Sequence, residues 1–140
     1  LACLGLEVKP EKKKELIQWI KECQNEDGGF GGNAKHDSHI TSTHYALLVL
    51  ILFDAVNEIN VDKFVEFIAS MQKEDGSFMG DKWGEVDTRF SYCAISALTL
   101  LDKRDKIDIE KACEYVLACR NFDGSFGGIP DMESHSAYVF

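Results

Sequence analysis

Apolar runs of membrane-spanning length, lysine clusters interleaved with aromatic residues and C-x-x-C pairs are all missing from this sequence of 140 residues. The apolar stretch 45–53 is about half as long as a membrane-spanning helix requires, and the start of the sequence has no basic segment of the signal-peptide type. We therefore expect no transmembrane segment, no lipid-embedded anchor and no secretory signal.

Positive charge is also scarce. The sequence has 15 Lys and Arg residues against 24 Asp and Glu residues, which gives a net charge of -9. Its lysines do not form a cluster interleaved with aromatic residues, as they do on surfaces that bind phosphate backbones. We expect no nucleic-acid partner, and an anionic ligand would require a local basic pocket.

The five cysteines form no C-x-x-C pair, and their number is odd. Most stand among apolar residues, which favours reduced thiols that pack inside a cytoplasmic protein. They are Cys3, Cys23, Cys93, Cys113 and Cys119. Since 45% of the residues are hydrophobic, the chain is expected to form one globular core.

Three segments of the sequence align without a gap. They are CQNEDGGFGG from Cys23, MQKEDGSFMG from Met71 and CRNFDGSFGG from Cys119, and each begins 48 residues after the one before. This spacing predicts repeated supersecondary units that bury their apolar faces against one another. Because Leu1 is not a methionine and Phe140 falls where a helix should continue, we expect a partial domain over 1–140, truncated at both ends.

Each repeat contains two helical patterns. The first precedes the glycine turn and is amphipathic, which predicts an outer helix with one solvated face. The second, near 39–54 and 87–102, is apolar on nearly all sides and predicts an inner helix buried all round. Ser38, Asp87 and Ser134 are the expected caps. The alternation predicts an all-α fold, a curved or closed double layer of helical hairpins.

Polar residues vary between repeats where the inner helices begin. His39, Asp87 and His135 share one repeat position, and Arg89 follows Asp87 by two residues. If inner helices lie side by side, their N-termini meet at one rim, which favours an anion. We predict Arg89 and His135 at this rim, above an apolar interior lined by aromatic rings. Those ring-bearing residues are His44, Tyr92, Tyr138 and Phe140.

Structural interpretations of the same residues remain open. Arg89 could form an ion pair with Asp87 or Glu85, and Asp87 fits a helix cap better than a catalytic base. His36, His39 and His44 do not have an established zinc-binding spacing. The glycine turns indicate chain reversal before any other role.

The sequence resembles the β subunits of protein prenyltransferases, most closely the type II, or Rab, geranylgeranyltransferases. The resemblance covers essentially the whole chain and is carried by KEDGSFMGDKWGEVDTRFSYCA, NFDGSFGGIPDMESHSAYVF and CQNEDGGFGG with HDSHITSTHYAL. It implies an α/α toroid of six hairpins around a funnel-shaped cavity, about half of it present. It also implies transfer of geranylgeranyl from its diphosphate to C-terminal cysteines of Rab proteins.

The resemblance also implies roles for individual residues. His135 matches the diphosphate-binding histidine of the family, and Arg89 matches an arginine at the mouth of the site. Tyr92 and Tyr138 match positions that line the isoprenoid channel, and His44 and Phe140 share the repeat position of Tyr92. No residue of this chain is expected to be a catalytic zinc ligand, because the family's ligands would lie beyond Phe140.

Zinc is the cofactor that the resemblance implies for the full-length protein. It further implies a prenyltransferase α subunit as partner, and a Rab GTPase presented by a Rab escort protein. The β subunits of farnesyltransferase and type I geranylgeranyltransferase remain alternatives, since they share the toroid. A terpene cyclase is disfavoured because the sequence contains neither D-x-D-D nor D-D-x-x-D. A non-catalytic helical scaffold is the third alternative.

Overall fold

The computed structural model of the chain describes residue 5 and residues 7–138. Within this part of the chain the fold is all-α, as predicted, and β structure is limited to isolated bridges. The α-helices are α1 (Pro10–Glu22), α2 (Ile40–Leu52), α3 (Val61–Ser70), α4 (Thr88–Leu100) and α5 (Ile109–Ala118). Short 3-10 helices cover Val56–Glu58, Arg104–Lys106 and Ser136–Tyr138. None of the described helices has the length and apolar character needed to cross a bilayer.

The outer helices α1, α3 and α5 bury one face each, as their amphipathic pattern predicts. Asn60 caps α3 and Asp108 caps α5, because each side chain accepts a hydrogen bond from a backbone N–H three residues later, at 3.0 Å. The residues that these helices bury are Ile20 in α1, Phe64, Val65, Phe67 and Ile68 in α3, and Ala112 and Tyr115 in α5.

The inner helices α2 and α4 lie against each other, with Leu47 and Leu98 fully buried. The expectation that they are buried all round was wrong for part of their surface. Tyr45 is 62% exposed and Leu52 is 60% exposed. Tyr45 borders an open groove of about 240 Å³, lined by residues of α1, of α2 and of the segment between them.

Three similar turns connect the outer helices to the inner ones: turn 1 (23–30), turn 2 (71–78) and turn 3 (119–126). Gly28, Gly76 and Gly124 adopt φ of 90°, 85° and 84°, the left-handed region that the sequence predicts for these glycines. In turn 1, Gln24 exchanges two hydrogen bonds with the backbone of Asn60. Gln72 does the same with Asp108. Each of these two turns therefore anchors the start of the next outer helix.

The residues that cap the inner helices differ from two of the predicted ones. His39 Nδ1 accepts the N–H of Thr41 at 3.2 Å, and Asp87 Oδ1 accepts that of Arg89 at 2.8 Å. Ser38 and Ser134 were wrongly expected as caps. Their hydroxyls instead donate to carboxylates of turns 1 and 3, those of Asp27 and Asp123. In the third repeat, the described helical segment is Ser136–Tyr138 alone, and Phe140 lies outside the described residues.

Candidate functional site: the rim of the inner helices

The starts of the inner helices are joined to the repeat that follows. The N–H of Ile40 donates to the carbonyl of Gly80 at 2.7 Å, and the N–H of Thr88 donates to the carbonyl of Gly128 at 2.8 Å. These bonds hold the segment before α4 against the start of α2, and the segment before Ser136 against the start of α4. The predicted rim of successive inner-helix starts is therefore present in the structure.

Arg89 at this rim is held by the residue that caps its own helix. Its Nε donates to Asp87 Oδ1 at 2.9 Å, and its Nη2 donates to Asp87 Oδ2 at 2.6 Å. The Asp87 side chain is only 8% exposed, whereas that of Arg89 is 44% exposed. The hydrogen bond to Asp87 raises the pKa of Arg89 above its ordinary value. The ion pair considered from the sequence is thus present, and it fixes one edge of a cation that still reaches solvent.

Tyr138 connects Arg89 to His135. The guanidinium carbon of Arg89 lies 5.4 Å from the centre of the Tyr138 ring, and the His135 ring meets the same tyrosine edge-on at 6.0 Å. His135 Nδ1 accepts the N–H of Ala137 at 3.0 Å. Because Nδ1 accepts, the neutral imidazole carries its proton on Nε2, which is then available as a donor. Three residues predicted from the sequence are therefore brought together.

A cavity of about 320 Å³ opens beside Arg89. Its polar residues are at the rim, and its apolar wall includes Phe90, Tyr92 and Cys93. Burial raises the pKa of Cys93 to about 11, so this thiol stays protonated and does not supply a thiolate near neutral pH. The full lining is His39, Thr41, Tyr45, Glu85, Arg89, Phe90, Tyr92 and Cys93.

Tyr92 lies between this cavity and a second, more apolar one. The second cavity measures about 430 Å³ and is lined by Ser91, Tyr92, Ile95, Ser96, Thr99, Leu100 and Val116. His44 does not line either cavity, since it is 1% exposed and lies behind Tyr92, with ring centres 5.4 Å apart. Its Nε2 lies 3.1 Å from Ser96 Oγ. The arrangement offers a mouth that contains Arg89 and, next to it, an apolar cavity, with Tyr92 lining both.

No three His, Cys, Asp or Glu side chains among residues 5 and 7–138 come together in an arrangement that could hold a metal ion. The described residues therefore do not fit a zinc site. The histidines considered for zinc binding, His36, His39 and His44, have three different structural roles. His39 caps α2, His44 is buried between α2 and α4, and His36 lies in the exposed segment that follows turn 1.

Sequence reasoning missed three residues of the mouth: Tyr45, Phe90 and Cys93. Tyr45 and Cys93 occupy the same repeat position, 48 residues apart, so a comparison of repeat positions could have shown that they line equivalent faces of α2 and α4. Glu85 was considered only as an ion-pair partner of Arg89, and the structure has Arg89 paired with Asp87 while Glu85 lines the mouth. The paired side chains of Asp87 and Arg89 were considered only as an alternative to a functional role.

Comparisons with known proteins agree with this architecture. A sequence model of the family described as "Prenyltransferase alpha-alpha toroid domain" matches residues 1–140. The "Probable geranylgeranyl transferase type-2 subunit beta" of Dictyostelium discoideum is 55% identical over 43 residues, which are 31% of this chain and 13% of that protein. The "Geranylgeranyl transferase type-2 subunit beta 1" of Arabidopsis thaliana is 49% identical over 38 residues, 27% of this chain and 12% of that protein.

A solved structure shows the same fold. It is titled "Candida albicans protein geranylgeranyltransferase-I complexed with GGPP", and it matches with a TM-score of 0.81 at 23% sequence identity. The match covers 90% of this chain and 40% of the other. The chain thus spans well under half of that structure, and the segments matched in the two relatives are a smaller share still.

Proposed function

Because the chain belongs to the prenyltransferase α-α toroid family, we propose that it forms part of the β subunit of a type II protein geranylgeranyltransferase. In this proposal the cytoplasmic enzyme transfers a geranylgeranyl group from its diphosphate to C-terminal cysteines of Rab proteins. The names of the relatives support the type, since those in Dictyostelium and Arabidopsis are both type-2 β subunits.

The observation that carries the proposal is the cluster of Arg89, Tyr138 and His135, in which Arg89 lines a cavity that shares Tyr92 with a second, apolar cavity. An isoprenoid diphosphate has a compact anionic head and a long apolar tail. Arg89 offers a fixed cation and His135 Nε2 an N–H donor for the head, while Tyr92 lies where the tail would pass from the mouth into the apolar cavity.

The proposed reaction forms a bond between a cysteine sulfur and the allylic carbon, and it breaks the bond from that carbon to the diphosphate oxygen. Negative charge grows on the departing diphosphate. Arg89 and His135 stabilise this charge without moving, because Asp87 and the Ala137 N–H already fix their side chains. Zinc is the proposed cofactor of the whole protein and would lower the pKa of the attacking thiol. The described residues do not fit a zinc site, and in this proposal the zinc ligands lie beyond Phe140.

The proposed partners follow from the type of enzyme. They are a prenyltransferase α subunit and a Rab GTPase presented by a Rab escort protein. A transfer assay on the whole protein that contains this chain, assembled with an α subunit, tests both the reaction and the type. Transfer of geranylgeranyl to a Rab protein that depends on the escort protein is expected. Transfer to short C-terminal peptides without the escort protein would instead indicate a farnesyltransferase or a type I enzyme.

His135→Ala should weaken the binding of geranylgeranyl diphosphate by roughly tenfold to a hundredfold, because a hydrogen bond to a charged group contributes about 1.5–3 kcal/mol. Isothermal titration of the diphosphate against wild-type and variant protein measures this change. His36→Ala, in an exposed segment, is the matched control and should leave the affinity unchanged. Equal affinities for wild type and His135→Ala would remove His135 from the site.

A further inference from the structure

The ring of Tyr138 does not have the place that the sequence predicts for it. Of the described residues, those that line the mouth cavity and the apolar cavity do not include Tyr138. The ring lies instead between Arg89 and His135, at 5.4 Å from the guanidinium carbon and 6.0 Å from the centre of the imidazole. Tyr138 therefore contacts the two candidate diphosphate donors and not the wall along which an apolar tail would run.

The position of this ring recurs in the repeat. Phe90 stands 48 residues before Tyr138, and its ring packs edge-on against His39, the cap of α2, with ring centres 5.3 Å apart. In the third repeat the ring lies against Arg89, which the cap residue Asp87 holds. In both cases an aromatic ring lies against a polar group at the start of the inner helix before it, so the contact of Tyr138 belongs to the way in which the repeats stack.

A glycine makes room for the Tyr138 ring. A Cβ on Gly128 would lie 2.9 Å from Tyr138 Cζ and 3.0 Å from the hydroxyl oxygen. The backbone at this glycine is itself fixed. The carbonyl of Gly128 accepts the N–H of Thr88 at 2.8 Å, and the carbonyl of Gly127 accepts the Thr88 hydroxyl at 3.1 Å. The ring therefore rests on backbone that is bonded to the start of α4, the helix that carries Arg89.

The ring and the carboxylate of Asp87 fix different features of Arg89. The Nε and Nη2 atoms of Arg89 donate to Asp87, which occupies one edge of the guanidinium. The guanidinium carbon lies over the Tyr138 ring, which covers one face of the cation. A guanidinium has five N–H donors in a planar fork, and those on Nη1 are left for a ligand. Asp87 therefore sets which edge of Arg89 is used, and Tyr138 sets the tilt of its plane.

The same tyrosine borders His135. Its backbone N–H donates to the carbonyl of His135 at 3.0 Å, while His135 Nδ1 accepts the N–H of Ala137 at 3.0 Å. The imidazole thus meets the tyrosine ring edge-on with its Nε2 proton left for a ligand. One side chain thereby sets the spacing between a cation of the second repeat and a donor of the third.

We propose that Tyr138 is a positioning residue for the diphosphate head, and that its ring orients the Arg89 guanidinium and the His135 imidazole without contacting the isoprenoid tail. A cation–π contact suits this task, because the ring attracts the cation through its face and leaves the N–H donors of the cation for an anion. The inference rests on the proposed function for the identity of the ligand. It assigns Tyr138 to the head of that ligand and not to the channel that the family resemblance implies.

Isothermal titration of the whole protein that contains this chain, assembled with an α subunit, separates the two roles with two probes. Inorganic diphosphate reports on the head site, and the uncharged alcohol geranylgeraniol reports on the tail site. Tyr138→Leu should weaken the affinity for inorganic diphosphate by roughly threefold to thirtyfold, because the cation–π energy that now orients Arg89 would be lost. The affinity for geranylgeraniol should not change. Tyr138→Phe keeps the ring and should retain the affinity for both probes.

Three further variants keep the test independent of the fold of Tyr138→Leu. Gly128→Ala displaces the ring without altering its chemistry, and it should also weaken the binding of inorganic diphosphate. Phe122→Leu removes a fully exposed ring from turn 3, is the matched control, and should bind both probes as wild type does. In an Arg89→Gln protein, Tyr138→Leu should have a smaller effect than in wild type, since a positioning residue acts through the group that it orients.

The inference is overturned if wild type does not bind inorganic diphosphate, or if both Tyr138→Leu and Gly128→Ala bind it within about twofold of wild type. An equal loss in Phe122→Leu, or an undiminished effect of Tyr138→Leu in the Arg89→Gln protein, has the same consequence. Weaker binding of geranylgeraniol by Tyr138→Leu would assign Tyr138 to the channel. The prenyl-transfer assay separates the two proposals. A protein that binds inorganic diphosphate through Tyr138 but transfers no prenyl group would contradict the proposed function and leave the role of Tyr138 supported.

Discussion

At the scale of single residues, the cap position of the inner helices combines helix stability with the orientation of the site. His39, Asp87 and His135 each accept a backbone N–H from two residues later. This bond uses one polar atom of the side chain and leaves the other free for a second contact. In Asp87 the remaining oxygen holds Arg89, and in His135 it is the Nε2 donor that is left. The chemistry of the mouth thus depends on side chains that the helices themselves hold in place.

His44 should make stability depend on pH. Burial lowers its pKa in the folded protein, so the unfolded chain binds more protons as pH falls below about 6.5, the ordinary value for histidine. The free energy of unfolding should therefore decrease from pH 7 towards pH 5. His44→Gln removes the titrating ring, while a side-chain amide can still bond Ser96, and should reduce this decrease.

Urea denaturation of the protein at several pH values measures the effect. His36→Gln replaces a histidine in an exposed segment and should keep the pH dependence of the wild type. If His44→Gln and wild type lose stability in parallel between pH 7 and pH 5, burial of His44 is not the cause.

Only some residues of the mouth could be predicted from the sequence. Arg89 and His135 could be predicted to lie at one rim because the gapless repeat fixes where each inner helix begins. Tyr138 was predicted to line the apolar interior, whereas the structure has its ring between Arg89 and His135. The burial of His44 behind Tyr92 could not be predicted. The repeat register places the two rings on equivalent faces of α2 and α4, but it does not say which ring covers the other. Phe140 lies outside the described residues, so its place in the channel stays a prediction.

At the scale of helices and turns, the glycine turns are the elements that join one repeat to the next. Gly28 and Gly76 lie directly against the backbone of the next outer helix, at Lys63 and Lys111. Gly84, in the segment 79–86 before α4, has a similar φ of 89°. No atom lies within 4 Å of the position that a Cβ on Gly84 would occupy. Substitutions at Gly76 and Gly84 therefore distinguish the cost of backbone strain, which both share, from the cost of a lost contact between repeats, which only Gly76 has.

Gly76→Ala should destabilise the protein more than Gly84→Ala. Both variants place a Cβ in the left-handed region, which costs roughly 1–2 kcal/mol. Only Gly76→Ala also forces the new methyl group into the carbonyl of Lys111, which adds about 1–3 kcal/mol of steric cost. Chemical denaturation of the two variants gives the difference, and equal losses would show that turn 2 does not pack against α5 as described.

The inner helices themselves were predicted to within two residues at each end. The ranges 39–54 and 87–102 compare with Ile40–Leu52 and Thr88–Leu100. The agreement follows because the apolar pattern of each helix is bounded by polar and acidic residues. The loops were harder to predict from the sequence. Ser38 and Ser134 look like caps, yet each bonds to the turn beneath it. The segment 79–86 aligns without a gap to the segments 31–38 and 127–134. The alignment therefore gives no indication that 79–86 follows a different backbone path, with a bridge between Met79 and Val86.

At the scale of the whole molecule, the contact between the start of α2 and the second repeat is filled, whereas the equivalent surface one repeat earlier is an open groove. Where α2 meets the second repeat, the His39 ring packs on Phe90, with ring centres 5.3 Å apart, and both border Gly80. The same positions one repeat earlier are Ser42 and Gly32, and they line the open groove beside α1 and α2. A Cβ on Gly32 would meet only Ser42 Oγ, at 3.8 Å. We therefore predict that another inner helix of the proposed longer protein docks in this groove.

Gly32→Ala and Gly80→Ala distinguish a groove that stays open from one that is filled in the longer protein. Gly80→Ala should cost about 1–3 kcal/mol in the 140-residue chain and in the longer protein alike, because His39 and Phe90 occupy the space. Gly32→Ala should be nearly neutral in the 140-residue chain and should cost about as much as Gly80→Ala in the longer protein, if a further hairpin packs there. Denaturation of the four variants decides the matter. Neutrality of Gly32→Ala in both contexts would show that the ring of helices does not continue across this face of α2.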